Sequence, residues 1–203
     1  MKQKIFNYIK LLRVKHYVKN LLIFFPLVFS QKVFTKGFLT AFKGFIVFNI
    51  AASVIYVIND LKDIEKDKSH PTKCNRPLAS GAIKKTEAIF TILILSIFML
   101  LGNYLICGWN KLTWLSILGY VALNLLYSLG LKNIALLDVF ILMSGYVIRV
   151  FYGALIIGVD VSSWLYLTVM AMAFYLGLGK RRNEMLLQGS RSRKVLELSL
   201  IHI

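Results

Sequence analysis

Long uncharged stretches alternate with short basic segments along this chain. Three stretches, 88–110, 112–131 and 161–179, contain no charged residue. Each is close to the roughly 20 residues that a helix needs to cross a bilayer core. Weaker apolar stretches cover 17–34, 38–58 and 134–158, the last of which contains Asp138 and Arg149. The pattern predicts an all-α, polytopic transmembrane helix bundle with about six spans.

Composition and charge agree with a membrane protein. The chain is 58% hydrophobic, has a mean hydropathy of +0.68 and carries a net charge of +16. With a cytoplasmic N-terminus, 20 of the 25 Lys and Arg residues fall on the cytoplasmic side and only 3 on the other. This asymmetry is a strong positive-inside signal, so we expect a multi-pass protein of the cell (inner or plasma) membrane with the 59–87 loop in the cytoplasm. The lipid bilayer is an expected partner, nucleic acid is not, and the oligomeric state stays open.

The acidic residues are concentrated in that loop. Four of the nine lie between Asp60 and Asp67. On a helix, Asp60, Asp63 and Asp67 share one face, beside Asn59, while Glu65 points to nearly the opposite side. Three carboxylates on one face repel each other unless a cation lies among them, and hard oxygen ligands suit Mg²⁺ shared with a phosphorylated substrate. We therefore predict that Asn59, Asp60, Asp63 and Asp67 bind Mg²⁺; the alternative is a solvated face paired with neighbouring lysines.

Cations follow the acids in the same loop. Lys73 and Arg76 lie close to the acidic residues and beside two prolines that restrict the turn. A diphosphate bridged by a metal has oxygens that the metal does not cover, and arginine can bind such oxygens in a bidentate manner. We predict that Lys73 and Arg76 contact these oxygens.

The string NDLKDIEKD, from residue 59, resembles the NDxxDxxxD motif of the UbiA superfamily of intramembrane prenyltransferases. The similarity extends to RVKHYVKNLLIFFPLVF from residue 13, HPTKCNRPLASG from residue 70, NLLYSLGLKNIALLDVFILMSGYVIRV from residue 124 and LGLGKRRNE from residue 176. Together these strings resemble the decaprenyl-phosphate phosphoribosyltransferase branch.

The resemblance implies a bundle of about nine transmembrane helices around a lipid-accessible cavity, with Mg²⁺ as cofactor. It implies phosphoribosyl diphosphate as donor and a polyprenyl phosphate as acceptor, giving a lipid-linked pentose donor for cell-envelope polysaccharide. Typical superfamily members have a second Asp-rich motif at the matching place. In this chain that segment contains three cations and one acid, and Lys180, Arg181 and Glu184 are its substrate-binding candidates. Such a cationic segment suits phosphate better than a second metal ion.

Further substrate-binding candidates come from matches to the same branch. Lys19 and Asn20 either contact phosphate or anchor the membrane edge. Tyr127 and Lys132 match a turn of the branch, with Lys132 as a phosphate ligand and Tyr127 also explained as an interfacial aromatic residue. Arg149 is an intramembrane arginine, which by itself suggests function, although a structural hydrogen-bonding role is the alternative.

Two further expectations concern organisation and function. We expect one transmembrane domain over 1–189, incomplete at its C-terminal end because the resemblance implies about three more helices, and a tail of doubtful assignment over 190–203. The main alternative function is an aromatic prenyltransferase that uses an isoprenoid diphosphate, and a transporter or metal-binding scaffold is a third. Prenylation of an aromatic acceptor, or vectorial flux without substrate consumption, would distinguish these alternatives.

Overall fold

The computed structural model describes residues 2–131, 134 and 137–188, and within these ranges every regular element is helical. The predicted tail, 190–203, lies outside the described residues. The α-helices are α1 (Lys2–Leu12), α2 (Phe25–Phe29), α3 (Gly37–Lys62), α4 (Ile64–Lys68), α5 (Lys85–Cys107), α6 (Lys111–Leu129), α7 (Leu137–Ile157) and α8 (Ser163–Gln188). Two 3-10 elements join them: the 3-10 segment Val14–Phe24 and the short 3-10 turn Lys73–Asn75.

Four of the described helices, α3, α5, α6 and α7, are long and apolar enough to cross a membrane. The all-α transmembrane class predicted from the sequence is therefore confirmed. The apolar part of α8, Ser163–Gly179, is shorter. The number of spans, six of an expected nine, remains a prediction.

The first apolar stretch, 17–34, does not form one long helix. It divides into the 3-10 segment and α2, with Pro26 in the first turn of α2 and Gln31 at a φ of 57° just beyond its end. Proline has no N–H with which to continue a helical ladder, and a left-handed residue ends one. This part of the chain is therefore two short helical segments rather than one long helix.

Helix α3 is central in the bundle and contacts α1, the 3-10 segment, α5, α6 and α7. Its mid-part is rich in small and β-branched residues that are buried. The main core forms where Phe48 of α3 packs on the rings of Tyr120 and Tyr152, with centroid separations of 4.5 and 5.4 Å. A close-packed centre of this kind holds α3, α6 and α7 in a defined register.

A second apolar cluster orders the loop that follows α3. Ile64, Leu78 and Ile83 of the loop are buried against Leu11 of α1 and Val57 of α3. Burying apolar side chains of this size stabilises the loop by roughly 1.5–3 kcal/mol each. The loop therefore holds a fixed position over the end of α3, and the acidic residues lie at that place.

Glycine allows α7 to lie directly against the 3-10 segment. A Cβ atom placed on Gly153 would be 2.1 Å from the Ile23 carbonyl oxygen. No other residue type has room for its side chain at this contact. The approach brings Arg149, one helical turn before Gly153, next to Asn20 of the 3-10 segment.

Candidate functional site

The acidic motif lies at the junction of α3 and α4 rather than on one continuous helix. Helix α3 ends at Lys62, Asp63 has the dihedrals φ −95° and ψ 12°, and α4 begins at Ile64. Asp60 and Asp67 are 2% and 4% exposed, whereas Asp63 is half-buried. Because of this break, the three aspartates predicted to share one helix face are not equivalent. Asp60 and Asp67 are buried, and Asp63 is accessible.

Two arginines neutralise the buried aspartates. Arg76 Nη1 donates to Asp60 Oδ1 at 3.1 Å and to Asp67 Oδ2 at 2.6 Å. Arg13 Nη2 also donates to Asp60 Oδ1. We call Arg13, Asp60, Asp67 and Arg76 the arginine–aspartate cluster. Phosphate contact by Arg76 stays a prediction; in this structure its guanidinium binds carboxylates, because buried anions need a nearby counter-ion.

Arg13 was not among the residues predicted from the sequence. It connects α1 to the 3-10 segment in a left-handed conformation, with φ 53° and ψ 46°. Such a conformation costs of order 1–3 kcal/mol for a residue with a side chain. Its guanidinium also lies 5.1 Å from the Tyr56 ring centroid. A basic N-terminal segment alone does not indicate which of its cations faces the acidic motif.

A cavity of about 290 Å³ lies next to the cluster, between the 3-10 segment, α3, α6 and α7. It brings together four predicted residues that are far apart in the chain: Lys19, Asn59, Tyr127 and Arg149. It also includes residues that the sequence did not reveal: Arg13, His16, Tyr56, Tyr120, Asn124 and Tyr146. None of the described residues that line it is Asp or Glu. The wall therefore combines cations with neutral hydrogen-bonding groups.

Arg149 is buried beside this cavity, at 6% exposure. Its Nε donates to Asn20 Oδ1 at 2.6 Å, its Nη2 to the Tyr120 hydroxyl at 2.9 Å, and its Nη1 to the Gly145 carbonyl. Asn20 in turn donates to Asn49 Oδ1 at 2.6 Å. No carboxylate forms a salt bridge with Arg149 among the described residues. Its positive charge is thus held in place by neutral oxygens and remains available to an anion in the cavity.

The aromatic rings around Arg149 contribute to the same arrangement. The guanidinium carbon lies 4.9 Å from the centroid of Tyr120, 5.5 Å from Phe48 and 5.6 Å from Tyr146. Cation–π contacts stabilise a desolvated guanidinium without neutralising it. Arg149 therefore has both roles considered for it: it makes structural contacts with its neighbours, and it forms part of the cavity wall.

The donor atoms of the acidic motif suit a hard divalent cation, although they are not gathered around one. Over the described ranges, no three His, Cys, Asp or Glu side chains converge as metal ligands. Asn59 Oδ1 is buried, accepts no hydrogen bond, and belongs to a residue of the cavity wall. Carboxylate and amide oxygens are the ligands that Mg²⁺ uses. Among the described residues, no arginine pairs with Asn59 or Asp63, so both provide such oxygens.

The remaining predicted residues lie in different places. Lys73 is half-buried in the short 3-10 turn, and Glu65 pairs with Lys68 at 3.1 Å on the solvent side, as predicted from its direction on the helix. Lys132 lies outside the described residues, as do the side chains of Lys180, Arg181 and Glu184 on the last helix.

One lysine of the motif region has an unpredicted contact. Lys62 Nζ donates to the Ser128 carbonyl at 2.7 Å. Ser128 lies in the last turn of α6, next to Tyr127 of the cavity wall. The contact therefore links the end of α3 to the end of α6.

Comparisons with known proteins identify the family of this chain. The model of the UbiA prenyltransferase family matches residues 21–179. The chain belongs to this family. The UbiA fold is also found by structure: the chain resembles a UbiA homologue from Archaeoglobus fulgidus, solved with GPP and Mg²⁺, with a TM-score of 0.70 and 22% identity over 95% of this chain and 67% of that chain.

Curated relatives of this UbiA chain have a more specific name. It is 33% identical over 198 residues to a decaprenyl-phosphate phosphoribosyltransferase of Mycolicibacterium smegmatis, covering 93% of this chain and 61% of the relative. It is 32% identical over 200 residues to the protein of the same name from Corynebacterium glutamicum, covering 93% and 58%. The chain thus spans about three-fifths of the length of these curated relatives. The membership predicted from NDLKDIEKD and its companion strings is confirmed.

Proposed function

We propose that this UbiA protein is a membrane transferase that moves 5-phosphoribose from phosphoribosyl diphosphate to a polyprenyl phosphate. The reaction takes place at the cytoplasmic face of the cell membrane and depends on Mg²⁺. Its product is a lipid-linked pentose for cell-envelope polysaccharide. The names of the curated relatives support the substrate class.

The main support for this proposal is a cationic cavity that lies directly beside the acidic motif. Among the residues that the structure describes, the cavity wall includes Arg13, Lys19 and Arg149 but no carboxylate, while Asn59 connects it to the motif. Phosphoribosyl transfer requires a site for a diphosphate, a 5-phosphate and a lipid phosphate. A wall without carboxylates accepts several phosphate groups because it contains no negative charge that would repel them.

The acidic and amide side chains of the site suit a metal ion, and its cationic side chains suit phosphate. Asn59 and Asp63 offer oxygens to a divalent cation, as do the carboxylates of Asp60 and Asp67, which the two arginines contact in the structure. A bound Mg²⁺ supplies charge stabilisation to a diphosphate leaving group. Arg149, fixed by Asn20 and Tyr120, offers a positioned cation on the far wall of the cavity.

The bond changes require no general base. The bond between ribose C1 and the diphosphate oxygen breaks, and an oxygen of the lipid phosphate forms a new bond to C1. The acceptor oxygen is already anionic near neutral pH, so no proton has to be removed. Positioning of the two phosphorylated substrates and stabilisation of the leaving group provide the rate enhancement.

An aromatic prenyltransferase is the second candidate. Four tyrosines, Tyr56, Tyr120, Tyr127 and Tyr146, line the cavity, and aromatic rings stabilise positive charge on a substrate as well as on a side chain. This reaction would consume an isoprenoid diphosphate and leave phosphoribosyl diphosphate unused.

Transfer of radiolabel from phosphoribosyl diphosphate to an extractable polyprenyl phosphate tests the proposal. We expect Mg²⁺-dependent transfer by purified protein and at least about a hundredfold loss in Asp63→Asn. Glu65→Gln is the matched control, because it removes a carboxylate two positions away that is exposed and paired with Lys68. Transfer that persists in excess chelator rules out the metal role, and prenylation of an aromatic acid without phosphoribosyl transfer favours the second candidate.

A further inference from the structure

The two arginines of the arginine–aspartate cluster occupy positions that a metal ion needs. Asp60 Oδ1 accepts hydrogen bonds from both Arg13 and Arg76. A carboxylate oxygen has two lone pairs, so both are in use on this atom. Asp67 Oδ2 accepts from the same Nη1 atom of Arg76 at 2.6 Å. A cation that binds Asp60 through Oδ1 must therefore displace an arginine.

The charge of the two aspartates is balanced either by the two arginines or by one divalent cation, but not by both together. Asp60 and Asp67 are almost fully buried, and two guanidinium groups neutralise them. A divalent cation brings the same two charges to about 2.0–2.1 Å from the carboxylate oxygens, closer than the arginine nitrogens lie. With the metal ion and both arginines present, the cluster has a positive excess. An incoming diphosphate has the charge that removes this excess.

Both arginines are attached where a side chain can turn without moving a long helix. Arg13 is the single left-handed residue between α1 and the 3-10 segment, and Arg76 is an extended residue directly after the 3-10 turn Lys73–Asn75. Their side chains are 24% and 28% exposed, against 3% for Asp60. Arg13 also belongs to the cavity wall. The guanidinium groups are thus the movable members of the cluster, and the carboxylates are the fixed ones.

We propose that Arg13 and Arg76 are exchangeable counter-ions of the acidic motif. They neutralise Asp60 and Asp67 while no divalent cation is bound. When the metal ion binds these carboxylates, the arginines are released to the diphosphate of the substrate. Metal loading and diphosphate binding are thereby coupled. This inference rests on the proposed function, because it concerns the metal ion and the diphosphate of the same site.

Binding of Mn²⁺ in place of Mg²⁺, followed by electron paramagnetic resonance, measures the exchange without any turnover. In Arg76→Gln the metal no longer competes with the Arg76 guanidinium, which contacts both Asp60 and Asp67, so we expect the affinity of the protein for Mn²⁺ to rise at least about fivefold. Lys66→Gln is the matched control: it removes the same charge next to Asp67 from an exposed side chain that has no salt bridge among the described residues. It should leave Mn²⁺ affinity within about twofold of the wild type.

Inorganic pyrophosphate provides the second measurement. With Mn²⁺ bound, Arg76→Gln should bind pyrophosphate at least about fivefold more weakly than the wild type, because the released guanidinium is missing. Tighter metal binding together with weaker pyrophosphate binding is a combination that a purely structural role does not produce. If Arg76→Gln does not fold, Arg76→Lys keeps the charge but not the planar fork, and should shift both affinities in the same directions by less.

Several outcomes would overturn the exchange. An Mn²⁺ affinity in Arg76→Gln that equals or falls below that of the wild type overturns it, while phosphoribosyl transfer by the wild type would still support the proposed function. The absence of any Mn²⁺ binding by the wild type also overturns it. Conversely, opposite shifts in metal and pyrophosphate affinity without phosphoribosyl transfer support the exchange and count against the proposed function alone.

Discussion

Gly153→Ala tests the contact that places Arg149 beside the cavity. The new Cβ would lie 2.1 Å from the Ile23 carbonyl oxygen and 2.9 and 3.0 Å from the carbonyl carbon and Cα of the same residue. All three atoms belong to the backbone, so rotation of a side chain cannot relieve the overlap. Helix α7 and the 3-10 segment must move apart by about 1 Å to restore an ordinary contact.

The expected cost follows from this overlap. Overpacking of a close-packed interior destabilises by about 1–3 kcal/mol. Replacing glycine by alanine inside a helix returns at most about 1 kcal/mol. Separation also lengthens the hydrogen bond from Arg149 to Asn20, now 2.6 Å, and a bond to a charged group contributes about 1.5–3 kcal/mol. We expect a net loss of about 2–3 kcal/mol, which lowers the unfolding temperature by several degrees.

Thermal unfolding in detergent, followed by circular dichroism, measures this loss. Gly119→Ala is the matched control, since it lies inside α6 and its added Cβ meets nothing within 4 Å. It should unfold at or slightly above the wild-type temperature. The rate of the proposed phosphoribosyl transfer should fall about tenfold in Gly153→Ala at a temperature where the variant is folded. If Gly153→Ala unfolds at the same temperature as Gly119→Ala, the close approach of α7 to the 3-10 segment is refuted.

Three other substitutions test separate parts of the site. Arg149→Gln removes the positioned cation and should raise the KM for the proposed donor, phosphoribosyl diphosphate, at least about tenfold, whereas an unchanged KM would make Arg149 purely structural. Lys62→Met removes the bond to the Ser128 carbonyl and should lower the unfolding free energy by about 1 kcal/mol; equal stability of variant and wild type in a denaturant titration would contradict this. Arg13→Gly should be more stable than Arg13→Ala by about 1 kcal/mol, because alanine keeps the left-handed strain that glycine relieves, and the reverse order would show that φ is not positive there.

The acidic motif shows which features of the site a local sequence pattern predicts and which it does not. NDLKDIEKD indicates oxygen ligands at a helix end, and the structure places Asp60, Asp63 and Asp67 at the junction of α3 and α4. Helical spacing does not reveal that Asp60 and Asp67 become buried while Asp63 stays accessible. Burial depends on Leu11 of α1 and on Leu78 and Ile83 of the loop, which pack around the end of α3 and lie outside the motif in sequence.

The membrane class, the helical composition and the family strings were determined by the sequence itself. Hydropathy and helical spacing are properties of neighbouring residues, so a single chain displays them without a structure. The stretch 17–34 marks the limit of this reasoning. Its composition suits a span, but Pro26 and the left-handed Gln31 divide it.

Only the tertiary structure decided which charges meet. The chain has 25 Lys and Arg residues for nine acids, so each acid has several possible cationic partners and sequence order does not select the pairs. Arg13 reaches Asp60 across 47 positions, and Arg149 reaches Asn20 across 129. Electrostatic and hydrogen-bond energies depend on distance in space and on burial, and packing of α3, α7 and the 3-10 segment sets both.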